Sequence, residues 1–394
     1  MAHKIRNTNA KSKTFKRIYV ALLTILALFA VYGAIYTWTY HCDSASEKLK
    51  GLDLSYKESN YLIESKKYEG SMSNIVLPYV DSLQTNGSFK NGSHTIAYNM
   101  YLLDDAKANI VISHGFIERK EKYKEAIYYF LKMGYQVFIL DHSGHGSSSR
   151  ECPDSSMIHV EAYENFASDL NAFITGTVQK HSKDLKTILF GHSMGGAIAA
   201  LTVENNPELV DGLILNAPML KIKNPIPEFV GEPVTKLMIA LGKGKEYAIG
   251  HRKFNPKTDL EYNPTLVATY CKERAQYWHN TLVKLSQHPT TGASWGAGAN
   301  FIDLTHEVLS KGNVEKIKIP ILMFQAEHDA FVEPQGQYEF ANRAKNIAFY
   351  FVKDAGHEIY IEEDNIIGPY FSKLDINDPK RKHIMNSKKT SALK

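Results

Sequence analysis

Apolar residues divide the chain into one continuous run near the N-terminus and a longer region of short, regularly spaced segments. Residues 18–38 carry no charged side chain. As a helix this run would rise about 31 Å, enough to cross a bilayer core of about 30 Å. Tyr36, Trp38 and Tyr40 lie at its C-terminal end, where aromatic residues of membrane helices concentrate. The pattern predicts a transmembrane anchor over 18–40.

Two alternatives to an uncleaved anchor stay open at this point. A signal peptide also begins with basic residues, although its apolar core usually spans only about 7–15 residues. Val31-Tyr32-Gly33 is an acceptable but imperfect cleavage site. A buried helix of a soluble domain is the other alternative, but such helices are rarely apolar on every face.

After a mixed, polar lead-in over 41–84, short apolar segments alternate with segments of helical periodicity. Strands alternating with helices predict an α/β domain, with a mostly parallel sheet covered by helices on both faces. The predicted strands are 94–103, 109–113, 136–140, 185–190, 212–215, 317–324 and 348–352. The predicted helices are 122–133, 163–180, 193–204 and 335–344.

The alternation stops over 219–315, which is rich in aromatic residues and punctuated by proline and glycine. Such an insertion between two strands predicts a cap over the active-site edge of the sheet. A cap of this composition favours an apolar substrate, although most of its aromatic side chains would form its own core. The whole domain is predicted over 85–378, followed by a basic, disordered tail over 379–394.

Charge is distributed unevenly along the chain, whose net charge is +4. Residues 1–17 and 380–394 carry basic side chains and no acidic one, so the body between them is acidic. This argues against a nucleic-acid-binding body and favours tails beside an anionic membrane surface. The alternative for the C-terminal tail is a solvated, disordered end. The excess of basic residues before the apolar run predicts a cytoplasmic N-terminus and an extracytoplasmic body.

Cysteine and histidine spacing indicates neither a disulfide framework nor a metal site. Cys42, Cys152 and Cys271 leave open whether any two of them pair. The sequence has no Cys-x-x-Cys and no His-Glu-x-x-His motif, so no metal ion and no cofactor is expected. The oligomeric state is not indicated.

The strongest chemical signal is Gly191-His192-Ser193-Met194-Gly195, between a predicted strand and a helix of small residues. Gly-x-Ser-x-Gly in this context is the nucleophile-elbow pattern. The turn is so tight that the flanking positions need glycine. Ser193 would then lie at a helix N-terminus, where backbone N–H groups and the helix dipole favour developing negative charge. The motif predicts Ser193 as a nucleophile.

A serine hydroxyl is a poor nucleophile at neutral pH and requires a base and a group that orients the base. In folds with this elbow the order along the chain is Ser, acid, His. Asp329 and His357 each follow a predicted strand, so both lie at the same sheet edge as Ser193. We therefore predict His357 as the base and Asp329 as its partner. Glu358, which follows His357, is an alternative acid, and His192, which precedes Ser193, is an alternative base. Both have a poorer expected geometry.

The oxyanion of an acyl-transfer reaction is commonly bound by two backbone N–H groups. Met194, the residue after the predicted nucleophile, supplies one in this fold. The loop His114-Gly115-Phe116, which follows the strand predicted over 109–113, is expected to supply the other from Phe116. The three nearby histidines His114, His142 and His145 are expected to shape these loops.

With these residues in place, the chain resembles α/β-hydrolases, and more narrowly the bacterial lysophospholipases within a group that includes monoacylglycerol lipases. The narrower resemblance rests on segments 113–123 (SHGFIERKEKY), 141–148 (DHSGHGSS) and 355–363 (AGHEIYIEE), and the whole resemblance covers about 85–375. It implies cofactor-free hydrolysis of one acyl ester of a lysophospholipid or monoacylglycerol. Two departures are the N-terminal anchor and Ser143, where relatives more often carry a basic residue. If that loop holds a head group, the preference for the head group is in question.

Other functions compatible with the sequence are a short-chain esterase, a peptidase or a perhydrolase on the same fold. A non-enzymatic alternative is a membrane-tethered binding protein that has lost the chemistry. Intact Ser193, Asp329 and His357 argue against this second alternative. A lipid substrate held in the bilayer would account for both the anchor and the aromatic cap.

Overall fold

A nine-stranded mixed sheet forms the centre of the protein in a computed structural model that describes residues 2–55, 60–265, 268–285 and 290–375. The strands are β1 (Leu49–Gly51), β2 (Gln84–Asn91), β3 (His94–Tyr101), β4 (Ala108–Ser113), β5 (Tyr135–Leu140), β6 (Met157–Ile158), β7 (Thr187–His192), β8 (Gly212–Asn216), β9 (Gly292–Ala293), β10 (Ile321–Ala326) and β11 (Ile347–Val352). The helices are α1 (Ala2–Thr39), α2 (Tyr68–Ser71), α3 (Leu77–Leu83), α4 (Lys124–Lys132), α5 (Glu164–Phe173), α6 (Gln179–His181), α7 (Met194–Asn205), α8 (Glu228–Ala240), α9 (Pro256–Asp259), α10 (Lys272–Leu285), α11 (Trp295–Val308), α12 (Pro334–Arg343) and α13 (Asp364–Leu374).

The large sheet has the strand order β1-β11-β10-β8-β7-β4-β5-β3-β2. In this spatial order, the seven strands from β1 at the edge through β5 are all parallel to their neighbours. Strand β3 is antiparallel to both β5 and β2. Strands β4, β5, β7, β8 and β10 are buried at every residue, as expected for parallel strands covered on both faces. The predicted mostly parallel sheet with helices on both faces is confirmed.

Two apolar clusters, one on each face of the sheet, hold the helices in place. One cluster contains side chains of α5, α7 and α11, such as Leu170, Ile198 and Leu304. The other contains side chains of α4 and α13, such as Phe130 and Phe371. Burial of these side chains stabilises each helix because each presents one apolar face to the sheet.

The predicted lead-in over 41–84 contributes directly to the sheet and its cover. Strand β1 pairs in parallel with β11 at the sheet edge. Val76, just before α3, and Val80, within α3, are fully buried in the same apolar cluster as the side chains of α4. Strand β1 is only three residues long and lies in a polar segment, so no periodicity in the sequence predicted it.

The interval between β8 and β10 contains α8, α9, α10, β9 and α11, and it includes the predicted cap region. Strand β9 pairs with β6 in a separate two-stranded sheet. Helix α11 packs against both α7 and α8. The C-terminal part of this interval therefore lies on the core, and α8 lies outside it.

Helix α1 begins at Ala2, well before the apolar run, and its last turns contact α8. The segment Arg17–Thr39 has a mean hydropathy of 2.4 and is long enough to cross a membrane. A signal sequence near an N-terminus can meet the same criteria of length and hydropathy, so these two properties alone do not distinguish it from an anchor. The predicted tail over 379–394 lies outside the described residues. Cys42, Cys152 and Cys271 are all free thiols.

Candidate active site

The turn between β7 and α7 has the geometry predicted for a nucleophile elbow. Ser193 adopts φ 51° and ψ −121°, a conformation that is uncommon and strained for a residue with a side chain. A Cβ atom on Gly191 would lie 2.6 Å from the Gly195 carbonyl oxygen. A Cβ atom on Gly195 would lie 2.1 Å from the Ser113 carbonyl oxygen. Both glycines are therefore sterically required.

His357 and Asp329 form a close pair at the carboxyl ends of β11 and β10. The distance from His357 Nδ1 to Asp329 Oδ2 is 2.7 Å. The other carboxylate oxygen of Asp329 accepts hydrogen bonds from the backbone N–H groups of Phe331, at 2.9 Å, and Val332, at 3.0 Å. Burial alone would raise the pKa of Asp329, but these bonds and the His357 charge lower it below its usual range. Asp329 is therefore held as a carboxylate.

The same pair lies beside the elbow. The ring centroid of His357 is 4.8 Å from that of His192, the residue immediately before Ser193. Ser193 and His357 are only 7% and 5% exposed. Among the described residues no hydrogen bond joins the Ser193 hydroxyl to His357, and catalytic hydrogen bonds are often long before substrate binds. The structure thus brings together His357 and Asp329, and the contact with Ser193 stays a prediction.

The two predicted oxyanion donors, Met194 and Phe116, lie on elements that meet at this edge. Met194 is the first residue of α7, where backbone N–H groups have no partner within the helix. Phe116 follows β4, the strand adjacent to β7. Within the described ranges neither N–H donates to another residue, as an oxyanion hole requires. Their role as an oxyanion hole stays a prediction.

A buried carboxylate that sequence reasoning missed, Glu118, connects the Phe116 loop to the His357 loop. Glu118 is 4% exposed and accepts hydrogen bonds from four donors. The donors are the Gly115 N–H at 2.7 Å, Lys122 Nζ at 2.9 Å, the Tyr123 hydroxyl at 2.6 Å and the Tyr360 hydroxyl at 2.7 Å. Gly115 precedes Phe116, and Tyr360 lies in the loop of His357. Glu118 therefore fixes the relative positions of the two loops.

Lys122 neutralises this carboxylate and a second one. It pairs with Glu118 and with Glu358, the residue after His357. Burial would raise the pKa of Glu118, but the Lys122 charge holds it well below its usual range. Burial raises the pKa of Glu358, although Lys122 opposes this. Glu358 pairs with Lys122, whereas Asp329 pairs with His357. Burial lowers the pKa of His192 to about 3, so that ring is neutral.

Removing the charge of Glu118 should impair catalysis more than substrate binding. We expect Glu118→Gln to lower kcat about 10- to 100-fold with a small change in KM, because misplaced supporting groups cost about that much. Glu121→Gln is the matched control, since Glu121 lies in the same segment but pairs with Arg119. Steady-state kinetics with a soluble ester measure both constants. Equal kcat values for the two variants would contradict this role.

The same substitution should change stability in a pH-dependent way. Because the folded pKa of Glu118 lies below its usual value, its stabilisation is present above the unfolded pKa of about 4.3 and disappears as the pH falls through the folded pKa. The difference in unfolding temperature between wild type and Glu118→Gln should therefore be largest near neutral pH and shrink towards pH 3. A structural defect unrelated to charge would give a difference independent of pH.

One group near the elbow has the residue types of a metal site. Ligand atoms of Glu118, His192 and Glu358 lie within 4.8 Å of one another. The Lys122 ammonium already pairs with both carboxylates and supplies the positive charge that a cation would bring. The hydrogen bonds to Glu118 also occupy its oxygens. We interpret this group as an ion-pair network.

The three histidines of the strand-end loops are buried and brace those loops. His142 Nε2 lies 2.8 Å from Ser113 Oγ, and the His142 N–H donates to His114 Nε2 at 3.0 Å. Burial lowers the pKa of each ring, to about 3 for His145. The neutral rings therefore act as hydrogen-bonding spacers, as expected from the sequence.

A family model described as serine aminopeptidase, S33, matches residues 104–364. The probable lysophospholipase L2 of Haemophilus influenzae is 26% identical over 297 residues, which cover 74% of this chain and 90% of that protein. The human monoglyceride lipase is 27% identical over 242 residues, which cover 61% of this chain and 71% of that protein.

The fold itself matches a solved structure of a soluble variant of monoglyceride lipase from Saccharomyces cerevisiae. The TM-score is 0.58 at 16% sequence identity, and the match covers 74% of this chain and 94% of the other. At this identity the likeness concerns the fold alone. The family model covers more than half of the chain and shows that this protein belongs to the serine aminopeptidase S33 family of α/β-hydrolases.

Proposed function

We propose that this protein is a serine-dependent carboxylic ester hydrolase that releases the fatty acid of a lysophospholipid through an acyl-enzyme on Ser193. The observation that carries the proposal is the His357–Asp329 pair, 2.7 Å apart and beside the Ser193 elbow. A relative that matches over 90% of its own length is named a probable lysophospholipase L2.

The arrangement supports a two-step acyl transfer. His357 Nε2 takes the hydroxyl proton as Ser193 Oγ attacks the ester carbonyl, and Asp329 stabilises the resulting imidazolium. The N–H groups of Phe116 and Met194 bind the negative oxygen of the tetrahedral intermediate. When the C–O bond breaks, His357 gives its proton to the leaving glycerol oxygen. Water then attacks the acyl-enzyme with His357 as base, which releases the fatty acid and restores Ser193.

Apolar side chains around the proposed reacting atoms support the proposal that the substrate carries a long acyl chain. The ring of Phe331 lies 5.1 Å from that of His357 and is 47% exposed. Phe116 packs against Phe301 at 5.4 Å between ring centroids. An exposed aromatic residue beside the catalytic base has an unfavourable contact with water that an acyl chain would replace.

A monoacylglycerol is the second candidate substrate. A relative matching over 71% of its own length is named monoglyceride lipase. The buried Ser143 hydroxyl has no hydrogen-bond partner in the described part of the chain. Ser143 carries no charge that would attract a phosphate group. Its presence therefore favours a substrate with a neutral glycerol head over a lysophospholipid. Both candidates share the chemistry of Ser193.

We also propose that α1 is a single-pass anchor, with its N-terminus in the cytoplasm and the hydrolase domain outside. The uncharged run within α1 and the basic residues before it support this orientation. Anchoring raises the effective concentration of a bilayer-borne substrate at the site.

The function is tested by following fatty acid release from three substrates in detergent micelles. We expect the wild-type protein to hydrolyse a lysophospholipid faster than a monoacylglycerol of the same acyl chain, and a short soluble ester most slowly. A preference for the monoacylglycerol would move the second candidate to first place. Absence of release from all three substrates by a folded protein would overturn the proposal.

A further inference from the structure

Beyond α1 and Tyr40, exposed large apolar side chains concentrate in one part of the chain. Of those in the described residues beyond Tyr40, all but Ile75 lie between 226 and 270 or beside His357. They are Ile226, Val234, Leu237, Ile239, Leu241, Ile249, Leu260, Tyr270 and Phe331. Where such side chains adjoin on one surface, they mark a contact with another apolar phase.

Helix α8 carries the most ordered part of this surface. Val230, Val234 and Leu237 are spaced four and three residues apart, and Leu241 follows four residues later, so all four share one face. Val234, Leu237 and Leu241 are 38%, 57% and 62% exposed. The opposite face, with the buried residue Thr235, packs towards α11. We call Val230, Val234, Leu237 and Leu241 the α8 stripe.

Basic side chains flank the α8 stripe at both ends. Lys221 and Lys223 precede the helix, and Lys243 and Lys245 follow it. Lys243 pairs with Glu246 and Lys245 with Glu161, but about half of each lysine side chain stays exposed. Lysines on either side of an apolar helix face are typical of helices lying in a membrane interface, where they meet anionic lipid head groups.

Helix α1 packs directly on α8 within its own apolar run. The ring centroids of Phe29 and Phe229 are 5.9 Å apart. Gly33 provides the space for this contact, since a Cβ atom there would lie 3.1 Å from the Phe229 ring. An open, mainly apolar groove of about 910 Å³ runs along α1 beside Phe229. Its lining suits acyl chains.

A polar junction fixes the C-terminal end of α1 to the cap. The Tyr36 hydroxyl donates to Glu228 Oε1 at 3.0 Å, and His306 Nε2 lies 2.8 Å from the same oxygen. The Tyr40 ring stacks on the His306 ring with centroids 3.6 Å apart. Because Glu228 begins α8 and His306 lies on α11, the junction sets the angle between α1 and the cap.

The position of these contacts relates α8 to the proposed membrane span. Phe29 lies about 15 Å along the helix from the end of α1 at Thr39, about half the thickness of a bilayer core. If α1 spans the membrane, the start of α8 at Phe229 is therefore at the level of the lipid. We propose that the α8 stripe is a membrane-contact surface, embedded in the leaflet next to the hydrolase domain and held there by α1. This inference rests on the proposed membrane anchor.

The proposed surface would shorten the route of the substrate. The chain between Ile222 and α8 borders the active site, since Ile222 bridges to Val332 and Lys223 Nζ donates to the Asp329 carbonyl at 3.1 Å. A single-chain lipid leaving the membrane beside α8 would thus meet exposed Phe331 and then His357. The acyl chain would cross little water.

The test places an environment-sensitive fluorophore on the α8 stripe of the full chain. Leu237→Cys is labelled in a Cys42→Ser background, in which Cys152 and Cys271 are buried. The protein is reconstituted into vesicles of zwitterionic and anionic phospholipid carrying a nitroxide on the acyl chain. Ile75→Cys, 50% exposed outside the cap, is the matched control. We expect at least twofold stronger quenching at 237 than at 75, and equal quenching would overturn the proposal.

A second pair of variants tests whether α1 holds α8 in place. Gly33→Leu should displace Phe229 and at least halve the excess quenching at 237, whereas Ala27→Leu introduces the same side chain at an exposed position of α1 and should not. Quenching unchanged by Gly33→Leu would contradict the role of α1. These readouts require no catalysis, so quenching without ester hydrolysis would reject the proposed function alone. Hydrolysis without quenching at 237 would reject this inference alone.

Discussion

Ser193→Ala should lower ester hydrolysis by about 10⁴- to 10⁶-fold, because the hydroxyl oxygen is the atom that forms the acyl-enzyme. The fold should survive this change. Ser193 lies in a strained backbone conformation imposed by Gly191 and Gly195, and alanine meets the same steric demand as serine there. The expected result is loss of kcat with retention of the wild-type unfolding temperature. Fatty acid release in micelles, together with thermal unfolding, measures both.

Two controls make this result specific. Ser82→Ala removes an exposed hydroxyl far from the elbow in sequence and should leave activity unchanged. A fluorophosphonate that labels active serines should react with wild type and with Ser82→Ala but not with Ser193→Ala. Hydrolysis by Ser193→Ala at more than about a tenth of the wild-type rate would place the nucleophile elsewhere.

Asp329→Asn should lower kcat by about 10³- to 10⁴-fold with little change in KM. The carboxylate accepts a hydrogen bond from the His357 Nδ1–H group at 2.7 Å and thereby leaves Nε2 unprotonated and free to act as base. An amide that donates to Nδ1 favours the opposite tautomer, in which Nε2 carries the proton and cannot accept one from Ser193. The backbone bonds from Phe331 and Val332 can still reach the amide oxygen, so the loop should keep its shape.

Asp354→Asn is the matched control for this substitution. Asp354 is exposed, follows β11 and has φ 60°, a left-handed conformation that asparagine tolerates. Its variant should retain wild-type kinetics. If Asp329→Asn kept full activity while remaining folded, a different acidic group would have to orient His357, and the proposed triad would be wrong.

Most strands of the sheet were predictable because buried parallel strands are short, continuous apolar runs between turns. The strand predicted over 136–140 is observed as Tyr135–Leu140, and the one predicted over 185–190 as Thr187–His192. The strand predicted from 317 begins at Ile321 instead, after Pro320, which has no N–H to donate to a sheet. The helix predicted over 163–180 is interrupted by a π-helical turn over Ile174–Val178.

The positions of the candidate catalytic residues were also accessible from the sequence. Ser193 lies in a local motif, and Asp329 and His357 each follow an apolar run that forms a strand. Their pairing follows from topology, since β10 and β11 are adjacent and parallel. No local pattern distinguishes Glu118 in the same way. Glu118 and Tyr360 are 242 positions apart, and their contact exists only when two loops meet at the sheet edge.

The sequence by itself determined the strand–turn–helix of the elbow, the order Ser193, Asp329, His357, and the apolar run that forms most of α1. These features depend on steric and hydrophobic preferences of neighbouring residues. Only the tertiary structure decided that Glu118 joins the two loops, that β1 extends the sheet, and that α1 packs on α8. These contacts depend on which surfaces remain unsatisfied after the elements pack, and that is a property of the whole fold.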